Sequence, residues 1–125
     1  MKVDVNKTFY TKGRKKWTET KWTCTLYLLT DLPDVIAAKV MAHELTHDYL
    51  YHHAGRGRNN KITEGICEAV SGAFLESRKL TGYLEAMKKN PNPVYGAGFR
   101  LIFPQLKRYG LKGVTERYRS EFTPF

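Results

Sequence analysis

Around residue 30 the spacing of apolar residues changes from two to three and four. That change divides the chain into a strand-forming start and a helix-forming remainder. In "KWTCTLYLL" (21–29), Trp22, Cys24, Leu26 and Leu28 fall on one face and Thr23, Thr25 and Tyr27 on the other. This is the alternation of a half-buried strand. Shorter strands at 3–5 and 8–10 would complete a small antiparallel sheet, with a turn at Gly13. The stretch "DLPDVIAAKVMAHELTHDYLYHH" (31–53) opens with helix-start chemistry at Asp31 and Pro33. Ile36, Val40, His43, His47 and Leu50 then recur at helical spacing, and Gly55 and Gly57 end the helix. A second helix is predicted over "ITEGICEAVSGAFLESRKL" (62–80), with Ile66, Val70, Ala73 and Phe74 as its apolar stripe. A short helical piece follows Gly82 and stops at "NPNP" (90–93). The segment 95–118 predicts a helix bent at Pro104 and broken at Gly110. Strands first and helices after make an α+β domain.

Length and composition bound the rest. A chain of 125 residues is expected to form one domain, residues 1–125, and 42% hydrophobic content supports a small core. No run approaches the roughly 20 apolar residues of a membrane span. The start "MKVDVNKTFY" lacks the basic-then-apolar layout of a signal peptide. Two cysteines, Cys24 and Cys67, are too few for a disulfide framework or a zinc ribbon, so a cytoplasmic protein with reduced thiols is expected. The net charge of +9 comes from clusters such as "KGRKKW" (12–17) and "GRGRNNK" (55–61). Such clusters can attract nucleic acid or acidic surfaces. More often they are a solvated face, and no nucleic-acid-binding signature accompanies them, so nucleic acid is a possible partner but not the favoured one.

All four histidines lie within 41–55, and His43 and His47 bracket Glu44 as H-E-x-x-H. On a helix, residues four apart share a face with Cβ atoms about 6 Å apart. Two imidazoles so placed can both reach one Zn²⁺ at about 2.0–2.1 Å. Glu44 projects beside such a metal, where it can take a proton from water that the metal has acidified. The plainer alternative is a core helix with two satisfied histidines, but an apolar face has little reason to bury two imidazoles unless something polar lies between them. Two residues could be the third ligand. His53 holds the position of the last histidine in H-E-x-x-H-x-x-G-x-x-H, but Leu50 stands where that layout needs a turn-making glycine. Glu64, at the start of the second helix, matches the His, His, Glu set of thermolysin-like sites and is preferred. Glu68, one turn further on, could accept the free ring N–H of a ligand histidine. Cys67 could be a ligand, although a small buried residue in helix packing is its simpler role. His52 is expected to be exposed.

"HELTH", sixteen residues, then "EGIC" resembles the peptidase domain of the ubiquitin-activated LIM-domain peptidases that restrict organ growth in plants. Those peptidases belong among the gluzincins, and bacteria carry small relatives. "LYLLTDLP" (26–33) resembles the strand and turn leading into that family's metal helix. "YGAGFR" (95–100) and "KRYGL" (107–111) resemble its C-terminal helix, so the likeness covers roughly 22–120. The resemblance implies a minimal zincin with His43, His47 and Glu64 as ligands and Glu44 as the base. The chain departs from the family in having no LIM or zinc-ribbon cysteines and no recognisable ubiquitin-interacting helix. It also has "HDY" where the family has a small residue and Trp after the motif. Peptidase chemistry transfers; ubiquitin activation and substrates do not.

The expectation is therefore a cytoplasmic zinc metallopeptidase acting on a peptide or protein. A tyrosine would donate to the oxyanion, Tyr95 before Tyr109. The alternatives are a zinc-holding regulatory module without catalysis and a basic nucleic-acid-associated protein. An extended substrate is expected along an open edge of the strand at 22–29, the other reading being an interior strand paired on both sides.

Overall fold

The computed structural model describes the backbone of residues 2–12, 17–27 and 33–125, and side chains from Pro33 onward. The chain divides into two compact units, residues 1–37 and 38–125. In the first, β1 (Lys2–Lys12) and β2 (Trp17–Tyr27) form an antiparallel two-stranded sheet, in register from Lys2 opposite Tyr27 to Lys12 opposite Trp17. The separate strands expected at 3–5 and 8–10 are one continuous strand, because no glycine or proline interrupts "VDVNKTFY". The register sets Val3 opposite Leu26 and Val5 opposite Cys24, aligning the alternation of the two strands. Among the described residues β2 pairs with β1 alone. The turn expected at Gly13, the strand end at 28–29 and the helix start at Asp31 lie outside the described residues.

The remainder is mostly helical. Helix α1 (Asp34–His53) starts directly after Pro33, whose carbonyl accepts from Ala37 N–H at 3.0 Å. It ends before Gly55, which has φ +106°. Next come β3 (Arg56–Gly57) and α2 (Asn60–Ser77), the latter capped by Asn59, whose side chain accepts from the Lys61 and Ile62 N–H groups. Helices α3 (Thr81–Lys88) and α4 (Tyr95–Arg117) follow. Pro104 lies within α4, and the backbone leaves helical geometry at Gly110, with φ 73°. The tail ends in β4 (Phe122–Thr123), antiparallel to β3. Arg119 Nη1 donates to the His53 carbonyl at 3.1 Å, and Arg58 Nη2 to the Ser120 carbonyl, so the tail is tied to the segment that leaves α1.

Helices α2 and α4 form the main pair. A Cβ added at Gly65 would lie 2.7 Å from the Gly98 carbonyl oxygen, and one added at Gly98 would lie 2.5 Å from that of Lys61. The two glycines thus let the backbones approach more closely than any larger residue would. Ile66, Leu75, Phe99, Ile102 and Val114 on these two helices are fully enclosed, with Phe99 and Phe103 stacked at 4.8 Å. The buried side of α2 corrects the expected stripe. It runs through Ile62, Ile66, Ala69 and Leu75 together with Gly65 and Gly72, while Val70, Ala73 and Phe74 are only partly covered. Helix α2 is enclosed on two faces, so small residues do the packing that a search for large apolar ones overlooks. Helix α1, by contrast, buries only Thr46 and Leu50 among its described residues. No helix among the described residues is long and apolar enough to cross a membrane.

Candidate metal centre

The i, i+4 spacing on α1 brings the His43 and His47 rings to 4.9 Å between centroids, and their Nε2 atoms to 3.2 Å. Glu64, in the first turns of α2, sets Oε2 2.9 Å from His43 Nε2 and 3.1 Å from His47 Nε2. Three donor atoms from two helices thus form a triangle about 3 Å on a side. Around a tetrahedral zinc with bonds of about 2.0–2.1 Å, ligand atoms stand about 3.3 Å apart, so the triangle nearly matches one face of that polyhedron. Glu68, one turn beyond Glu64, accepts from His43 Nδ1 at 2.8 Å. With the ring proton held there, a neutral His43 turns its Nε2 lone pair toward the Glu64 oxygen and His47 Nε2. Electron pairs pointed at one another are unfavourable unless a proton or a cation sits among them, and the donor set fits a zinc ion.

The electrostatics follow the same atoms. Burial works against a charge on His43. The hydrogen bond that His43 donates to Glu68 and the carboxylates of Glu68, Glu64 and Glu44 outweigh it, leaving the pKa above the usual histidine value. Cys67 is fully enclosed on α2, and its sulfur groups with the histidine nitrogens within 4.8 Å. Burial, then the Glu64, Glu44 and Glu68 carboxylates, push its thiol far up. The Glu64 oxygen lies 2.9 and 3.1 Å from the two histidine nitrogens, so Glu64 and Cys67 are the two groups on α2 that could complete the donor set.

An open cavity of about 270 Å³ adjoins the cluster. Glu44, exposed on α1, lines it beside His43 and Glu68. Tyr95 closes another side, its ring centroid 6.3 Å from that of His43. Asn92 fixes its place by accepting from the Val94 and Tyr95 N–H groups at the start of α4. The Gly65–Gly98 crossing then carries this start up to Glu64. The Glu64 carboxylate, with desolvation and Glu68 and Glu44 behind it, raises the Tyr95 pKa and keeps the phenol protonated.

Other candidates lie elsewhere. His53 stacks on Tyr49 at 4.3 Å. Tyr109 has the guanidinium groups of Arg108 and Arg117 over its ring and does not line the cavity. His52, expected to be exposed, has a side chain only 12% exposed and sits 3.2 Å from Asp48, because the i, i+4 pair is covered together. Two cavity residues carry no motif signal: Lys39, and Ser71, whose hydroxyl donates to the Lys39 carbonyl at 2.9 Å.

A histidine pair on one helix answered by carboxylates from the next makes this a candidate metal centre of the H-E-x-x-H class. The chain belongs to the DA1-like family (Protein DA1), which it matches over residues 3–90. That match takes in the hairpin and ends before α4, on which the likeness at 95–100 and 107–111 rests. Among curated relatives, Protein DA1-related 2 of Arabidopsis thaliana is 36% identical over 56 residues, covering 45% of this chain and 11% of that protein. LIM domain-containing protein HDR3 of Oryza sativa subsp. japonica is 24% identical over an alignment of 126 residues, covering 70% of this chain and 25% of the relative. Protein DA1 of Arabidopsis thaliana is 23% identical over 122, covering 73% and 23%. The chain therefore spans a quarter or less of the length of these relatives. No solved structure matches it.

Proposed function

We propose that the chain is a zinc-dependent peptidase of the gluzincin type, acting in the cytoplasm on a peptide or protein. His43, His47 and Glu64 are the metal ligands and Glu44 the catalytic base. The observation that carries this reading is the convergence of His43 Nε2, His47 Nε2 and Glu64 Oε2 at 2.9–3.2 Å, beside a cavity lined by Glu44. Zinc bound there supplies Lewis acidity toward a scissile carbonyl and toward water. Glu68 holds the proton of His43 on Nδ1 and so keeps Nε2 free as a donor. Glu44 takes the proton of the attacking water and passes it to the leaving amine. The Tyr95 phenol, kept protonated by its acidic neighbours, donates a hydrogen bond to the oxygen on which negative charge develops.

The test is elemental analysis of the purified protein together with peptide cleavage by wild type and Glu44→Gln, with a chelator control. One zinc per chain is expected in both, with activity about 10²–10⁴-fold lower in the variant. Equal activity in the two proteins would remove Glu44 from the mechanism.

A further inference from the structure

The cavity beside the cluster is dominated by negative groups. Glu44 and Glu68 line it, and Glu64 lies at the cluster. Among the described residues Lys39 is the one lysine or arginine along its wall, and its ammonium has no ion-pair partner there. The residue is held in place. It lies on α1 one turn before His43, and Ser71 ties its carbonyl to α2 at 2.9 Å. Four residues of helix rise about 6 Å, which is about two residues of an extended peptide at about 3.3 Å each. With its backbone one turn from His43 and its side chain lining the same cavity, Lys39 is within reach of substrate groups about two residues from the bond being cut. The net charge of +9 adds a field that draws acidic molecules toward the protein.

We infer that Lys39 is a specificity-determining residue that pairs with a substrate carboxylate within about two residues of the scissile bond. The inference rests on the peptidase reading and names its substrate class, acidic peptides. The carboxylate is either an Asp or Glu side chain or the free C-terminus of the substrate. A role for Lys39 confined to balancing Glu44 and Glu68 would affect all substrates equally, so discrimination between substrates is the quantity to measure.

Two readouts on the zinc-loaded chain separate the possibilities. The first is kcat/KM for matched peptides carrying Glu or Gln near the cut, each with a free or an amidated C-terminus. The second is equilibrium binding of the same peptides, by fluorescence anisotropy, to the Glu44→Gln protein. Wild type in the first readout and Glu44→Gln in the second are expected to favour the peptide with the carboxylate about tenfold, in the first chiefly through KM. That ratio falls to about one in Lys39→Met and returns in Lys39→Arg, and Lys39→Glu prefers a Lys-bearing peptide. A preference that follows the side chain or follows the free C-terminus identifies which carboxylate is read. Binding preference with no cleavage would end the peptidase reading and the placement relative to a scissile bond, leaving Lys39 as a carboxylate-binding residue only. Cleavage with the same ratio in wild type and Lys39→Met would end the Lys39 assignment and leave the peptidase standing, as would a carboxylate preference that survives the substitution because the acid binds the metal directly. Absence of both binding and cleavage would overturn both.

Discussion

Replacing Glu68 should weaken zinc binding even though Glu68 is not one of the proposed ligands. Its Oε1 accepts from His43 Nδ1 at 2.8 Å, and the two side chains are only 16% and 12% exposed, so water is a poor substitute for either. A hydrogen bond to a charged group contributes about 1.5–3 kcal/mol. Losing the acceptor also frees the His43 proton to move to Nε2, the atom the metal needs. Partners of this kind are worth 10–100-fold in metal affinity, or about 1.4–2.7 kcal/mol. Glu68→Ala should therefore raise the zinc dissociation constant by one to two decades. Glu68→Gln, which keeps an acceptor oxygen without the charge, should raise it less. Competition titration against a fluorescent zinc chelator at fixed pH measures both, with circular dichroism confirming that each variant is folded. If folded Glu68→Ala binds zinc as tightly as wild type, the tautomer of His43 is set by something else and the reasoning fails.

Other expectations rest on the same geometry. Glu64→Ala should lower zinc affinity sharply while His53→Ala leaves it nearly unchanged, and the opposite order would transfer the third ligand to the end of α1. In the metal-free protein the raised pKa of His43 contributes stability that is present below about pH 6.5 and fades as pH rises past the raised value. Zinc needs the deprotonated ring, so the loaded protein gains stability over the same range. Thermal melts of chelated and zinc-loaded protein should slope in opposite directions from pH 6 to 8, and parallel slopes would count against metal binding at His43. Tyr95→Phe should reduce kcat by about a hundredfold with little change in KM, whereas a change confined to KM would make Tyr95 a binding residue only.

Much of the helical part was legible because each of its signals is local. The i, i+4 histidines, the Asn-Pro stop before α4 and the break at Gly110 each act within a turn or two of chain. The pairing of β3 with β4 was not legible, since two-residue strands have no period and their partners lie some 65 positions apart. The covered face of α2 was misread because its closest contact is made by glycines, which register as gaps in a hydrophobic pattern. The preference for Glu64 over His53 rests on Leu50 and on a carboxylate from the next helix, but the approach of Tyr95 depends on the Gly65–Gly98 crossing, which no spacing within either helix reveals. Lys39 carried no signal. A lysine four positions before a histidine reads as ordinary helix surface until a cavity is found beside it.

Helix α1 buries two of its described residues where α2 buries eight, and its polar links to α2 include His43 and His47 on Glu64, His43 on Glu68, and the Lys39 carbonyl on Ser71. The groups proposed for chemistry therefore also hold the part that bears them. In a cell this separates two kinds of inactive protein. If the chain is the peptidase proposed, one altered at Glu44 is expected to stay at its normal level and to occupy a substrate without cutting it. A chain altered at His43 or Glu64 loses the clasp between the helices, spends more time open to proteases, and falls in abundance, since one or two kcal/mol changes steady-state amounts several-fold. Dominant interference is expected from the first kind and simple absence from the second.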